Sequence, residues 1–243
     1  MINLIKGDCL VEMKNIPDGS IDAIITDPPY GTTACKWDSV IPFDRMWEQL
    51  NRIIKPNGAI VLFGSEPFSS ALRMSNIKNY KYDWVWDKKL STGFLNSKRM
   101  PLKQHEIISI FYKKQCTYNP QMIKGKERTK GGKLYNKTSI YGNYHVTEKE
   151  TYNMYYPTSI KVCSNSNRKN KVHPTQKPVA LMEYLIKTYT NENELVLDFT
   201  MGSGSTGVAC KNLNRDFIGI ELDENYFNIA QERINKPQQI KLF

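Results

Sequence analysis

The sequence predicts an α/β fold: a mostly parallel sheet with helices on both faces. Three observations predict it. Short apolar runs alternate with segments of helical spacing along most of the chain. Several of those runs stop abruptly on turn-forming or acidic residues. One stretch, ELVLDFTMGSGSTGVA, reads directly as strand, glycine turn and helix.

In order, residues 2–6 and 21–26 read as strands. Residues 43–54 carry helical spacing through Met46, Trp47, Leu50, Ile53 and Ile54, and stop at Pro56-Asn57-Gly58. Residues 59–63 form an apolar run, hence a buried strand, and 67–74 a short helix. Residues 82–86 and 106–112 read as two more strands. Later, 178–189 is a helix with Leu181, Leu185 and Ile186 on one face. Then follow a strand at 194–198, a helix at 205–213, a strand at 217–221 and a helix at 224–235. No internal repeat is evident.

The 243 residues, 40% hydrophobic, suffice for one sizeable core or a core with a small appendage. No stretch approaches the ~20 apolar residues of a membrane span, and MINLIKGDCL reads as a strand rather than a signal peptide, so a soluble cytoplasmic protein is expected. The five cysteines are scattered and only three histidines are present, which argues against a zinc site and a disulfide framework. The net charge of +10 is localised. Residues 113–171 hold thirteen Lys or Arg and three acids, and the rest of the chain is balanced. Seven of the fourteen tyrosines lie in the same block, which is rich in Asn, Ser, Thr and Gly. A basic, tyrosine-laced insert suggests a polyanion partner, most simply nucleic acid. The plainer reading is a solvated insertion, against which the aromatics weigh. Because it interrupts the alternation, the block should project from one edge as a separate lobe.

Gly202, Gly204 and Gly207 satisfy G-x-G-x-x-G, and Glu221 ends the next strand, nineteen residues after Gly202. The pattern matches a dinucleotide fingerprint, in which an acid binds ribose hydroxyls. Two features turn the reading from NAD. Asp198 sits at the strand end, where an amine is welcome and a pyrophosphate is not. No second nucleotide-binding half follows. S-adenosylmethionine, with ribose hydroxyls, an α-amino group and no phosphates, suits better.

IDAIITDPPYG, residues 21–31, is an apolar strand that stops on Asp27. In a parallel sheet ligands sit beyond the carboxyl ends of strands, so Asp27 to Tyr30 should face the methyl donor. An exocyclic amine of adenine or cytosine is a poor nucleophile because its lone pair is delocalised into the ring. Two acceptors for its N–H bonds would favour a pyramidal nitrogen and stabilise the developing charge. Asp27 offers a carboxylate. Pro28 offers a carbonyl, with φ fixed by its ring and an extended conformation imposed by Pro29. Tyr30 offers a face on which a base flipped out of the duplex can stack. An ordinary Asp-Pro-Pro turn is the plainer alternative.

Together Asp27-Pro28-Pro29-Tyr30, LDFTMGSGSTG and HPTQKPVAL (173–181) resemble the amino-methyltransferases of DNA that act on N6 of adenine or N4 of cytosine. GDCL (7–10), WVWDKK (84–89) and HEIISIFYKK (105–114) are similar to further segments of that family. The permuted motif order, with the catalytic tetrapeptide first, the recognition region second and the cofactor loop last, resembles the β group. The resemblance implies a Rossmann-like methyltransferase sheet with one antiparallel strand near its edge. It implies a catalytic half at 1–112, a target-recognition insert at 113–171 and a cofactor-binding half at 172–243.

It implies S-adenosylmethionine as cofactor and no metal. Asp198, Gly202, Ser203, Gly204 and Thr206 would line its methionine end, near Asp27, and Glu221 would take the ribose. Asp8 and Cys9 would lie by the adenine. Thr175, Gln176 and Lys177 would close over the methionine moiety, with Lys177 a partner for its carboxylate. Thr200 would belong to the cofactor site too, but departs from the pattern, standing where the family usually has an aromatic against the cofactor. In the insert, Lys124, Lys126, Lys130, Lys133, Lys169 and Lys171 would bind phosphates, and Arg128 and Arg168 would read base edges. In this family a tetrapeptide beginning with Asp is usual for N6-adenine enzymes, while Ser is commoner for N4-cytosine. The expected protein is therefore a site-specific DNA adenine methyltransferase acting on double-stranded DNA. A homodimer and a separate restriction endonuclease are its possible partners. The alternatives are an N4-cytosine enzyme and a catalytically silent DNA-binding protein; enzymes acting on RNA or protein glutamine fit less well, since they typically begin the tetrapeptide with Asn.

Overall fold

The structure, a computed structural model, describes residues 1–32, 38–130, 150–165 and 176–236. It divides into two compact units, 1–119 with 159–243, and Pro120–Thr158.

The first unit holds an eight-stranded sheet. Its strands are β1 (Ile2–Lys6), β2 (Ile21–Thr26), β3 (Ile54–Gly64), β4 (Tyr80–Thr92), β5 (Lys103–Phe111), β8 (Ile160–Val162), β9 (Leu195–Asp198) and β10 (Asp216–Glu221), in the order β1-β10-β9-β2-β3-β5-β4-β8. Only β5 runs against its neighbours. The carboxyl ends of β1, β10, β9, β2 and β3 therefore share one edge.

Both sheet faces are covered, which is why the central strands are apolar throughout rather than alternating. Ala23 and Ile25 of β2, with Val61 and Phe63 of β3, meet α4 (Val179–Tyr189), α5 (Ser205–Asn212) and α6 (Glu224–Asn235) through Leu181, Leu185, Ala209 and Ile234. Ile24, Ile60 and Leu62 point the other way. They meet Met13 just after α1 (Cys9–Glu12), Leu50 of α2 (Phe43–Ile53) and Leu72 of α3 (Phe68–Ser75). Leu50 is fully buried, and truncating such a side chain to Ala costs about 2–5 kcal/mol. Two polar contacts fix the helices. The Trp47 indole donates to Ser75 Oγ (2.7 Å), and the Trp84 indole donates to Tyr189 Oη (2.7 Å). The second contact locks α4 onto β4, and with it the chain that enters α4.

The second unit contains an antiparallel pair, β6 (Ile123–Lys130) and β7 (Glu150–Tyr155). Lys124, Lys126 and Arg128 occupy alternate positions of β6, with a register shift between Lys124 and Arg128. Arg128 lies over the Tyr155 ring at 5.8 Å, and Tyr155 Oη donates to the Lys126 carbonyl at 2.6 Å.

The insert expected over 113–171 is thus narrower as a compact unit. Residues 113–119 stay with the first unit, where Asn119 Nδ2 donates to the Lys187 and Thr190 carbonyls at the end of α4 (3.2 Å each). Ile160–Val162 extends the main sheet beside β4 as β8. Charge and polarity mark the block, but a three-residue edge strand leaves no periodicity to read. No helix among the described residues is long and apolar enough to cross a membrane.

Candidate active site

Residues 27–30 leave the end of β2 and residues 199–204 leave the end of the adjacent β9. Both turns open into one cavity of about 800 Å³. Asp8, Cys9, Asp27, Pro28, Pro29, Tyr30, Gln176, Lys177, Asp198, Thr200, Gly202, Ser203, Thr206 and Glu221 all line it, bringing together residues from five separate parts of the chain.

Asp27 is embedded in a charge network. Both Lys177 Nζ and the Tyr30 hydroxyl donate to its carboxylate. Lys177 is also 3.4 Å from Glu106 Oε2, and Glu106 Oε1 accepts from Lys88 at 3.1 Å. Lys88 of β4 and Lys177 are both buried. The Lys177 ammonium is ringed by Phe63 at 5.2 Å and by Tyr30 and Trp86 at 6.0 Å, faces that favour a cation. Burial opposes the charge on Lys177, but Asp27 and Glu106 outweigh it and hold the ammonium above its ordinary pKa. Burial pushes the Asp27 carboxyl up and Glu106 adds to the rise, while Lys177 pulls it down. Two acids and two lysines balance, and the contacts mark the Asp27–Lys177 pair as ionised.

The turn itself is clamped by Asp38. Its Oδ1 accepts from the backbone N–H groups of Tyr30 (2.8 Å) and Gly31 (2.9 Å), and its Oδ2 from that of Thr32 (2.9 Å). Gly31, at φ 68°, takes the left-handed conformation. Tyr30 packs on Phe68 with ring centroids 5.0 Å apart.

Asp198 is buried with no cation against it among the described residues. Thr26 Oγ1 (2.6 Å), Thr206 Oγ1 (2.5 Å) and the Thr200 N–H (3.2 Å) donate to it, yet burial pushes its carboxyl up to about 6. The Thr200 hydroxyl is 2.7 Å from that of Thr26 and reaches the Asp27 carbonyl at 3.2 Å. Asp198, Thr26, Thr200 and Asp27 thus join the two strand ends in one polar chain. Glu221 accepts from the N–H groups of Gly202 (2.8 Å) and Asp223 (2.9 Å), and burial raises its carboxyl. Asp8 caps α1 by accepting from Leu10 N at 2.7 Å, and burial pushes the neighbouring Cys9 thiol up to about 12.

Two expectations change. Lys177, expected to hold a ligand carboxylate, is committed to Asp27 and Glu106, because a lysine this buried needs anionic partners. Gly204 faces α6 rather than the cavity: at φ 77°, an added Cβ would stand 2.9 Å from Ala230 Cβ and Ile234 Cδ1. Thr200 lines the cavity and bridges the two strand ends, and the neighbouring Phe199 is buried in the core on the α2 side. Of the nucleic-acid candidates, Lys124, Lys126, Arg128 and Lys130 lie on β6, while Lys133, Arg168, Lys169 and Lys171, with Thr175, fall outside the described residues.

Sequence reasoning missed Asp38, Glu106, Lys88 and Arg233. Arg233 of α6 donates to the Ser203 carbonyl and, at 2.8 Å, to Ser203 Oγ, pinning the glycine turn. Lys88 and Glu106 lie in the WVWDKK and HEIISIFYKK segments, where a polar residue at a strand position otherwise apolar is the signal available; Asp38 and Arg233 carry none.

Among the described residues no group of three or more His, Cys, Asp or Glu could hold a metal ion. Among the described residues, Asp198 and Glu221 line the cavity without a salt-bridge partner. Ser205 Oγ, in the cavity lining, is buried with no hydrogen-bond partner among the described residues. That donor set suits a small ligand with amine and hydroxyl groups and a positive charge.

The family model described as DNA methylase matches residues 21–232. The type II methyltransferase M.HpaI of Haemophilus parainfluenzae is 31% identical over 96% of this chain and 74% of its own length. M.HinfI of Haemophilus influenzae is 27% identical over 98% and 71%. The crystal structure of an M1.HpyAVI–SAM complex is 30% identical, with a TM-score of 0.64 over 97% of this chain and 100% of that one. The cytosine-N4-specific PvuII DNA methyltransferase, 17% identical, shares the fold with a TM-score of 0.69 over 98% and 87%.

Proposed function

The chain belongs to the DNA methylase family, and from that membership we propose that it methylates the N6 amine of an adenine within a specific DNA sequence. It is a DNA amino-methyltransferase that uses S-adenosylmethionine. The cofactor supplies the electrophilic methyl group. Asp198 and Glu221 suit its α-amino group and ribose hydroxyls, Ser205 Oγ offers a further polar contact, and Asp8 and Cys9 border the same cavity.

In this reading Asp27 accepts one N–H bond of the target amine and the Pro28 carbonyl accepts the other. Both then stabilise the charge that grows on nitrogen as the new bond forms. Lys177 keeps Asp27 ionised, hence an acceptor only, and the carboxylate can take the proton that the methylated amine sheds. Tyr30 supplies a ring for the flipped base, braced from behind by Phe68. Asp38 and Thr200 hold the turn before substrate arrives, so little reorganisation is left for the reaction. One observation carries the reading: the acid–proline turn and the glycine turn end neighbouring strands and open into one cavity.

The choice of adenine rests on Asp27 at the head of the tetrapeptide. The same reading takes duplex DNA as partner through the cations of 113–171, and includes a homodimer, a separate cognate endonuclease and a cytoplasmic location on the nucleoid. Sequencing modified bases in DNA from cells expressing the chain tests it. N6-methyladenine at one recurring sequence is expected. N4-methylcytosine there would overturn the choice of base, and donor binding with no modified base of either kind would favour a silent DNA-binding protein.

A further inference from the structure

β4 runs parallel to β3, since both are antiparallel to β5, so its carboxyl end reaches the sheet edge that carries the active site. Lys88 and Thr92 at that end line the cavity. Immediately beyond Thr92 the chain forms a loop, residues 93–102, before β5 begins. The loop is closed at its base, where Thr92 Oγ1 donates to the Lys103 carbonyl at 3.2 Å. It is also braced internally. Gly93, at φ 90°, starts a helical turn in which the N–H groups of Asn96 and Ser97 donate to the Gly93 and Phe94 carbonyls, at 2.9 and 3.1 Å. Those of Arg99 and Met100 donate to the Asn96 carbonyl, at 2.8 and 3.0 Å.

This preformed tip presents its apolar side chains outward. Leu95 is 102% exposed, Phe94 68% and Met100 58%. Scattered exposed apolar residues are ordinary, but three within seven positions on a turn that contributes nothing to either core ask for an apolar partner. The surroundings are cationic: Lys89, Lys98, Arg99 and Lys103 are exposed, and no acid occurs between Asp87 and Glu106. An apolar tip ringed by cations at the mouth of a base-modifying site matches a duplex, whose phosphates are anionic and whose stacked bases are apolar.

We propose that residues 93–100 are a DNA wedge: Phe94 and Leu95 enter the base stack beside the target, while Lys98, Arg99 and Lys103 bind the flanking phosphates. The wedge rests on the reading of the chain as a DNA methyltransferase and explains how a paired base is brought to Asp27. Extrusion costs unstacking and unpairing, and an inserted side chain recovers part of that by occupying the space left behind. The loop's hydrogen bonds fix its shape beforehand, so little ordering is required on binding.

The test uses the full chain and a duplex carrying the recurring modified site, prepared with the target base paired or opposite an abasic position. Single-turnover transfer from labelled S-adenosylmethionine is compared for the wild type and the Phe94→Ala/Leu95→Ala double variant, whose changes lie on exposed positions. On the paired duplex the variant should lose about tenfold or more, with weaker emission from 2-aminopurine at the target position; on the abasic duplex most of the loss should be restored. A Lys98→Gln/Arg99→Gln variant should instead weaken binding of both duplexes and lower the slope of log affinity against log salt by about two. Wild-type rates for the double variant on the paired duplex, or an equal loss on both, would overturn the wedge. A wild-type chain that binds the donor but methylates neither duplex would overturn the methyltransferase reading beneath it, which is a separable result.

Discussion

Asp27 and Asp198 end neighbouring strands, the first part-buried and the second buried, and the chain satisfies them by opposite means. Asp27 is matched by a cation, Lys177, itself shared with Glu106. Among the described residues Asp198 is matched by neutral donors alone, the hydroxyls of Thr26 and Thr206 and the N–H of Thr200, and burial lifts its carboxyl to about 6. One strand end is therefore electrostatically complete before any ligand arrives. The other carries a charge that a cationic ligand would complete. The difference separates two tasks: Asp27 is kept as a fixed acceptor for chemistry, and Asp198 is kept as a site for binding.

The largest effect that could break this contrast is removal of the cation. Lys177→Met leaves the part-buried Asp27 and Glu106 with one ammonium fewer, and losing the buried partner of such a network costs up to about 3–5 kcal/mol. Urea unfolding should show that loss. Since Lys177 pulls the Asp27 carboxyl down, the acid limb of the pH–rate profile should move to higher pH in the variant; an unmoved limb would remove Lys177 from the account.

A somewhat smaller effect sharpens the other side. A carboxyl whose folded value is raised favours the fold while it is protonated. For Asp198 that contribution is complete below about pH 4 and is lost as pH rises through about 6. Asp198→Asn, which keeps the neutral form at every pH, should make the ligand-free protein more stable by about 3 kcal/mol at neutral pH. The gain should shrink towards zero near pH 4. Thermal unfolding across that range measures it, and a variant less stable than wild type at pH 7 would mean that Asp198 is not strained by burial.

The smallest effect concerns the link between the two ends. Thr200→Val removes the hydroxyl between Thr26 and the Asp27 carbonyl, at about 1 kcal/mol. Methyl transfer should fall several-fold with donor affinity unchanged. A loss confined to donor affinity would place Thr200 with the ligand instead of with the turn.

Much of this site was legible in the chain because its pieces are local. An apolar run that stops on Asp27-Pro28-Pro29-Tyr30 and a strand that breaks into glycines report their turns without knowledge of anything distant. The partners of those pieces were not legible. Lys177 lies 150 residues from Asp27, and nothing near it in sequence says which acid it meets. Helical and strand periodicity report which side of an element is buried, not what lies opposite, so Gly204 read as a ligand glycine although it makes room for α6. The length of β4 was underestimated for a related reason. Alternation fades at Asp87, Lys88 and Lys89, yet the strand continues to Thr92, and Lys88 is buried there through its pairing with Glu106. The β6–β7 pair, largely exposed where described, carries no apolar pattern, and only its charge was visible.

The division of labour is tested most directly by measuring donor affinity and single-turnover methyl transfer together in Asp27→Asn and Asp198→Asn. Asp27→Asn should bind S-adenosylmethionine within about threefold of wild type while transfer falls about a thousandfold. Asp198→Asn should weaken donor binding by about tenfold or more. Full transfer by Asp27→Asn, or a parallel loss of both properties in both variants, would contradict the account.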